Sequence, residues 1–523
     1  MNESRNGGRR SLASGAALVL ALGLLTACSP AQQTSGSADP SASPAGQAPD
    51  GSLVFGYFEP TTSLDPHAGT SSQDIPWLLP VYASLLSYAE DGSVEPGLAE
   101  SYELTPEMMT LTLREGLTFH DGATLDAEAV VANMERAQTL PESTVASELA
   151  AIESVEAVEP LTVQINLSGP DAALPAKLAD RSGMMIAPSS FEDGTNLNIE
   201  AIGAGPWQLV DYAPGDRLVA ERFEGYWNPD AVRLQEVEIR LIADDDSRLN
   251  ALRAGEIDIA QIRESQVQVA EADTALTVRT DPALAIDHLG LNISIEPFDD
   301  PLVRRAINHA IDREALLEGL YRGVGTIAYQ PFPPGYWANE PDIEGDLTYD
   351  PERARELLAE AGYPDGFSFE FATNNQPFRV QTTEAIAGML SEVGIESTIV
   401  PMEGPALLDQ FYYQNSVAAY FTPWGGRADP SQTLDNLFGP AGLNNPAKVT
   451  HPELADLLDQ ARESGDQEER AELLREASAV LMEEDRMIPL MFPGVTVAHR
   501  DNVVGYSTGL TGKADFLGVE VTE

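Results

Sequence analysis

Apolar and polar positions change their period repeatedly along this chain, and each period names an element. Leu161-Thr-Val-Gln-Ile-Asn-Leu167 alternates residue by residue, as a half-buried strand does. Val237-Glu-Ile-Arg-Leu241 repeats the pattern. Elsewhere the spacing turns helical. Asp300-Pro301 opens the stretch PLVRRAINHAIDREALLEGL, with Asp as N-cap and Pro at the first helical position. Asp350-Pro351 opens PERARELLAEAG, and Gly362 stands where a C′ glycine belongs. Leu473, Leu474, Ala477, Val480 and Leu481 share one helical face. Joints rich in Gly, Pro and Asp separate these elements. Strands and helices mix throughout without one repeated βαβ unit, so the class is α/β.

The first fifty residues follow other rules. Arg5, Arg9 and Arg10 precede an apolar run from Leu12 to Leu25, which ends in Leu25-Thr-Ala-Cys28. A short basic-then-apolar segment closed by small residues is an export signal, too short to span a bilayer. Its ending resembles the bacterial lipobox, which implies cleavage after residue 27 and a lipid on Cys28. Cys28 is the only cysteine, so no internal disulfide is possible. Residues 28–51 are rich in Ser, Ala, Pro, Gly and Gln and hold no aromatic ring; such a stretch cannot bury enough apolar surface to offset its ordering entropy and reads as a flexible tether. The expected location is therefore the outer face of the cytoplasmic membrane, with the lipid as anchor. The body from residue 52 to 523 is too long for one simple core, and two or more lobes are expected.

Charge narrows the partners. The chain carries 83 acidic against 30 basic residues, a formal net charge of −53. Lys177, Lys448 and Lys513 are its only lysines. So acidic a surface repels nucleic acid and anionic headgroups.

Enzymatic and metal chemistry find little support. Gly505-Tyr-Ser507-Thr-Gly509 fits the G-x-S-x-G nucleophile elbow. That motif requires a strand-turn-helix and, in its usual chain order, an acid and a His downstream. No His follows Gly509, and a turn between short strands is the expectation. The six His (67, 120, 288, 309, 451 and 499) show no zinc spacing. Asp244-Asp245-Asp246 reads as acidic capping of the helix that follows. Gly203-Ala-Gly205 and Gly323-Val-Gly325 lack the context of a dinucleotide loop. No cofactor, metal or catalytic set is expected, and the protein is read as a binder.

Several segments then line up in order: TTSLDPHAGTSS near residue 61, LTLREGLTFHDGATLDAEAVVANMERA from 111, IGAGPWQLVDYAPGDRLVAERFEGYWN from 202, LGLNISIEPFDDPLVRRAINHAIDREAL from 289 and FTPWGGRADPSQ from 421. In this order they resemble the family 5 solute-binding proteins of bacterial ABC importers, over about residues 52–506. The resemblance implies a two-lobed periplasmic-binding-protein-like fold (type II, large peptide-binding class) with an extra subdomain in lobe one. Mapped here, 52–285 form lobe one, with the inserted subdomain at about 90–200; 286–492 form lobe two; 493–523 return to lobe one. The crossings are expected near Ile286–Leu289 and Met491–Pro493.

The same resemblance implies a monomer that captures a peptide or peptide-like solute outside the membrane and hands it to ABC permease subunits. Glutathione-like, opine or sugar-acid and metal-chelate cargo, or a surface signal-receptor role, are the alternatives. It implies that Trp424 lines the pocket, beside Gly425. Peptide binders of the family carry an Asp three residues after this Trp; here Arg427 stands there, as in the glutathione-type branch. Asp429 is either a ligand contact or the N-cap of the next helix. Arg379 lies within a residue or two of the place where dipeptide binders hold a carboxylate-binding Arg.

Overall fold

The computed structural model describes residues 51–522 apart from 193, 342, 344–346, 441 and 443; Cys28, the signal-like segment and nearly all of the tether lie outside that range. Among the described residues no helix is long and apolar enough to cross a membrane.

The alternating segments are strands. Thr162–Leu167 buries every second residue, with Val163 and Ile165 fully inaccessible, and Met108–Leu113 does the same. Together with Ala99–Leu104 and Ile152–Glu159 they form a four-stranded antiparallel sheet. The helix Ala127–Thr139 supplies Val130 and Met134 to the core of this subdomain. Asp126 caps that helix through Ala129 N–H at 3.1 Å.

Two larger sheets carry the lobes. The first has seven strands in the order Leu276–Asp281, Val495–Arg500, Ile259–Gln261, Ser52–Tyr57, Glu236–Leu241, Arg217–Arg222 and Trp207–Ala213. Its core gathers Phe55, Trp77, Trp207, Ile239 and Phe516. The second has six: Thr326–Ile327, Ile488–Phe492, Ile286–Leu291, Ala419–Trp424, Phe367–Asn374 and Ile395–Met402. Ile488–Phe492 is buried at all five positions, which explains its unbroken apolar run: a strand covered on both faces has no solvent side to mark with polar residues. The chain passes from the seven- to the six-stranded sheet between Asp281 and Ile286, and returns between Phe492 and Val495. The two passages touch. Gly494 has φ +69°, and a Cβ there would stand 2.7 Å from the Asp281 carbonyl oxygen, so this position needs glycine for both conformation and space.

Helix starts follow their capping residues. Asp300 accepts from Leu302 N–H at 2.8 Å, and Asp350 from the N–H groups of Glu352 and Arg353. Gly362 ends the second of these helices at φ +93°. The stretch from Pro301 to Leu320 is not one helix but two, Pro301–Ala310 and Arg313–Gly319. Asp312 is extended and accepts from Ala315 N–H at 2.9 Å; a second N-cap within an apolar-periodic run breaks it. In Gln467–Glu483 the fully buried stripe is Leu474, Ala477, Ser478 and Leu481, while Leu473 and Val480 sit at its edge, partly buried. Asp244 caps Asp245–Ala254 through Ser247 N–H at 2.8 Å, and Asp245 pairs with Arg248 and Arg263. His120 packs edge-on against Phe223 and bonds the Gly205 carbonyl at 3.0 Å. Gly505–Gly509 is a turn region with one isolated bridge at Ser507, and among the described residues no helix follows it.

Candidate functional site

Where the two large sheets face each other, side chains from both surround a cleft of about 940 Å³, within the size range of small-molecule sites. Tyr57, Tyr88, Glu148 and Asp180 reach it from lobe one, and Lys513 from the returning tail; Tyr321, Arg379, Trp424 and Arg427 reach it from lobe two.

Trp424 closes the strand Ala419–Trp424. Its indole N–H donates to Thr433 Oγ1 at 3.2 Å, and its ring packs partly into the apolar cluster holding Leu434 and Leu437. One face is thus fixed in lobe two while the residue lines the cleft. Gly425 also lines it, and a Cβ built there would meet nothing within 4 Å. Gly426 has φ +71°, and a Cβ there would lie 2.5 Å from the Leu284 carbonyl oxygen. The Trp424–Arg427 loop is therefore pressed against the first passage between the lobes.

Arg427 ends that loop exposed to the cleft. Its guanidinium lies 5.9 Å from the Trp424 ring centroid. Among the described residues it makes no hydrogen bond and no ion pair. The other cleft cations are engaged. Arg379 pairs with Asp287 at 2.8 Å, Arg263 with Asp245 at 3.2 Å, Lys177 with Asp171 at 2.5 Å, and Lys513 with Asp180. Arg181 donates to the carbonyls of Pro66, Gly69 and Ser71. Burial raises the Asp180 carboxyl, but Lys513 in direct contact, with a further pull from Arg427, holds it below its ordinary range. Arg427 and Lys513 thus act on one carboxylate.

Asp429 and Arg379 have surroundings unlike those of Arg427. Asp429 does not line the cleft and is almost fully buried. Its Oδ1 accepts from Ser431 N–H at 3.0 Å and caps the helix Pro430–Phe438, and both of its oxygens accept from Arg470 at 2.9 and 3.0 Å. Arg379 does line the cleft, at the third position of the helix Pro377–Glu392. Its guanidinium is held by Asp287 and lies 5.0 Å from the Phe421 ring. Asp287 in turn accepts from Tyr321 O–H at 2.6 Å. Burial, reinforced by Asp287, pushes the Tyr321 phenol far up, so it remains a donor.

Asp287, Tyr321, Asp180 and Lys513 were not singled out from the sequence. Two signals were available: an Asp inside the buried strand Ile286–Leu291, and a lysine in a chain that has only three. Tyr321 and Asp180 carried no local signal, since their role comes from neighbours distant in sequence. Among the described residues no group of three or more His, Cys, Asp or Glu is placed to hold a metal.

Comparison with known proteins adds a lineage to this geometry. The profile of the bacterial extracellular solute-binding proteins, family 5 (middle region), matches residues 93–445. The glutathione-binding protein GsiB of Escherichia coli (strain K12) is 30% identical over 462 residues, covering 85% of this chain and 90% of its own. Among solved structures, HbpA2 from Haemophilus parasuis superposes with a TM-score of 0.82 at 25% identity, over 90% of this chain and 100% of that one. The ABC transporter-associated periplasmic binding protein DppA from Helicobacter pylori, in complex with the peptide STSA, gives 0.74 at 26% identity, over 90% and 98%.

Proposed function

Since the chain belongs to the family 5 bacterial extracellular solute-binding proteins, the extracytoplasmic substrate-binding components of ABC transporters, we propose that its cleft captures a peptide-like solute bearing a free carboxylate, of the glutathione type. The observation that carries this reading is Arg427, the one cleft cation among the described residues without a hydrogen bond or ion pair. A peptide ammonium brought there meets like charge in a site that sheds water. A carboxylate gains a bidentate, charge-assisted pair, each such bond contributing roughly 1.5–3 kcal/mol. Trp424 offers a flat apolar face beside it. A ligand that touches both walls stabilises the closed arrangement of the lobes over the open one, and the permease then receives the closed form. Binding of this kind makes and breaks no bond in the cargo.

Calorimetry with glutathione, and with the same tripeptide carrying both carboxylates as amides, tests the reading. Arg427→Ala lowers affinity for glutathione at least tenfold, about 1.4 kcal/mol, and the diamide binds the original protein no better than the variant binds glutathione. Equal affinity of both proteins for glutathione removes Arg427 from the site. The membrane attachment is proposed on the Leu-Thr-Ala-Cys28 ending alone: Cys28→Ser releases the protein into the soluble fraction, and retention in the membrane fraction overturns lipid attachment there.

A further inference from the structure

The lobe-one wall of the cleft holds a carboxylate, Glu148, that pairs with no cation among the described residues. It lies in the turns between the helix Ala127–Thr139 and the strand Ile152–Glu159 of the four-stranded subdomain. Val145 and Leu149 are buried in that subdomain's core. They pin the segment on both sides of Glu148, which is itself half-buried and lines the cleft. Its Oε2 accepts from Ser182 O–H at 2.7 Å, and Ser182 is fully buried. Its Oε1 makes no hydrogen bond among the described residues.

The cations of the same wall are engaged with other groups. Lys177 pairs with Asp171 at 2.5 Å. Arg181 donates to the carbonyls of Pro66, Gly69 and Ser71, and to Thr144 Oγ1 at 3.3 Å. Position relative to Arg427 matters as well. Ser182 belongs to the short turn Arg181–Gly183, which Asp180 caps. Asp180 is the carboxylate on which Lys513 and Arg427 act. One turn of lobe one therefore holds Glu148 through Ser182 and comes within electrostatic reach of Arg427 through Asp180. Glu264 is the other cleft acid without an ion pair among the described residues. It acts on Tyr321, beside the Asp287–Arg379 pair, and no hydrogen bond among the described residues anchors its side chain.

We infer that Glu148 is the ammonium-binding residue of the cleft, so that the cargo is a zwitterion whose free ammonium is taken by lobe one and whose carboxylate is taken by lobe two. The inference rests on the glutathione-type reading above and adds the second charge to it. A carboxylate with one oxygen fixed by a buried hydroxyl and the other without a partner is pre-positioned for a charge-assisted bond from an ammonium. Cargo that carries both charges ties the two walls together, and the closed arrangement gains from both contacts. Cargo without the ammonium leaves Glu148 unpaired as closure removes water, which turns the same residue into a filter against it.

Calorimetry with glutathione and with glutarylcysteinylglycine, the same molecule with hydrogen in place of the ammonium, tests the assignment. Both ligands keep both carboxylates. The wild-type protein is expected to bind the deaminated ligand at least tenfold more weakly, about 1.4 kcal/mol. Glu148→Gln keeps an acceptor for Ser182; it should bind glutathione at least tenfold more weakly and no longer separate the two ligands. Glu264→Gln should separate them as the wild type does. Equal wild-type affinity for both ligands overturns the role of Glu148 and leaves the Arg427 reading standing, because that reading is judged on the diamide. A Glu148→Gln variant that weakens both ligands alike, with their ratio preserved, also overturns it and marks Glu148 as structural. No heat from the wild type with glutathione is a different outcome: it overturns the glutathione reading and this inference together.

Discussion

Arg379 and Arg427 enter one cleft from the same lobe, and their surroundings give them opposite roles. Arg379 stands in the first turn of a helix, with Asp287 at 2.8 Å, the Phe421 ring beneath it, and Tyr321 completing the carboxylate's shell. Its side chain is 19% exposed, and Asp287 is 4% exposed. Arg427 stands at the end of a glycine loop, exposed, beside an indole and within electrostatic reach of Asp180, but with no hydrogen bond or ion pair among the described residues. A charge already compensated by a buried partner offers a ligand little, because pairing with the ligand first requires that partner to be left unpaired. A charge held in place but uncompensated carries no such cost. The lesson concerns neighbours: both residues are arginines, and only the tertiary partners distinguish wall from hook.

Substitutions at four positions test that contrast. The largest effect is expected from Asp287→Ala, which strands a partly buried guanidinium and the Tyr321 phenol: urea unfolding should report a loss of about 3 kcal/mol. The double variant Asp287→Ala/Arg379→Met should recover part of it, since the unpaired charge is then absent. Full additivity of the two single losses would show that Arg379 and Asp287 are not coupled, and the contrast would collapse. Next is Asp429→Ala, which removes both a helix cap and the bidentate partner of Arg470. The expected cost is about 2 kcal/mol or more of stability, with solute affinity unchanged at temperatures where the variant is folded. A tenfold affinity loss there would return Asp429 to the site. The smallest effect is the most discriminating. Arg427→Lys keeps the charge but not the planar fork; it should weaken glutathione about threefold with Tm unmoved, whereas Arg379→Lys should lower Tm because the fork also packs on Phe421 and Phe378. A drop in Tm for Arg427→Lys would reveal a structural partner for that residue.

How legible was this in advance? The strands around Val163 and Ile239 were, because each has one buried face and a period of two. Helix starts at Asp300 and Asp350 were, because an N-cap acts within three residues of itself. The helix break at Asp312 was not foreseen, since the apolar rhythm runs on through it while its cap is local and competing. Of the site, Trp424 and Gly425 are on the cleft wall. Arg427 was legible as a change of sign three residues after the Trp. That it would be free and Arg379 bound was not, since it depends on Asp287, which lies 92 positions from Arg379.

From sequence alone came the α/β class, the acidic balance, the local caps and the order of the segments, because each is set by neighbours along the chain or by simple sums over it. Tertiary structure decided which charges are compensated. Asp287 reaches Arg379, Asp429 reaches Arg470 across 41 positions, and Arg427 is left without an ion-pair partner among the described residues. The reason is physical. Hydrophobic period and capping are short-range and repeat, whereas compensation of a charge is a pairwise event at about 3 Å that chain separation does not predict, and its energy is set by how far both partners are withdrawn from water.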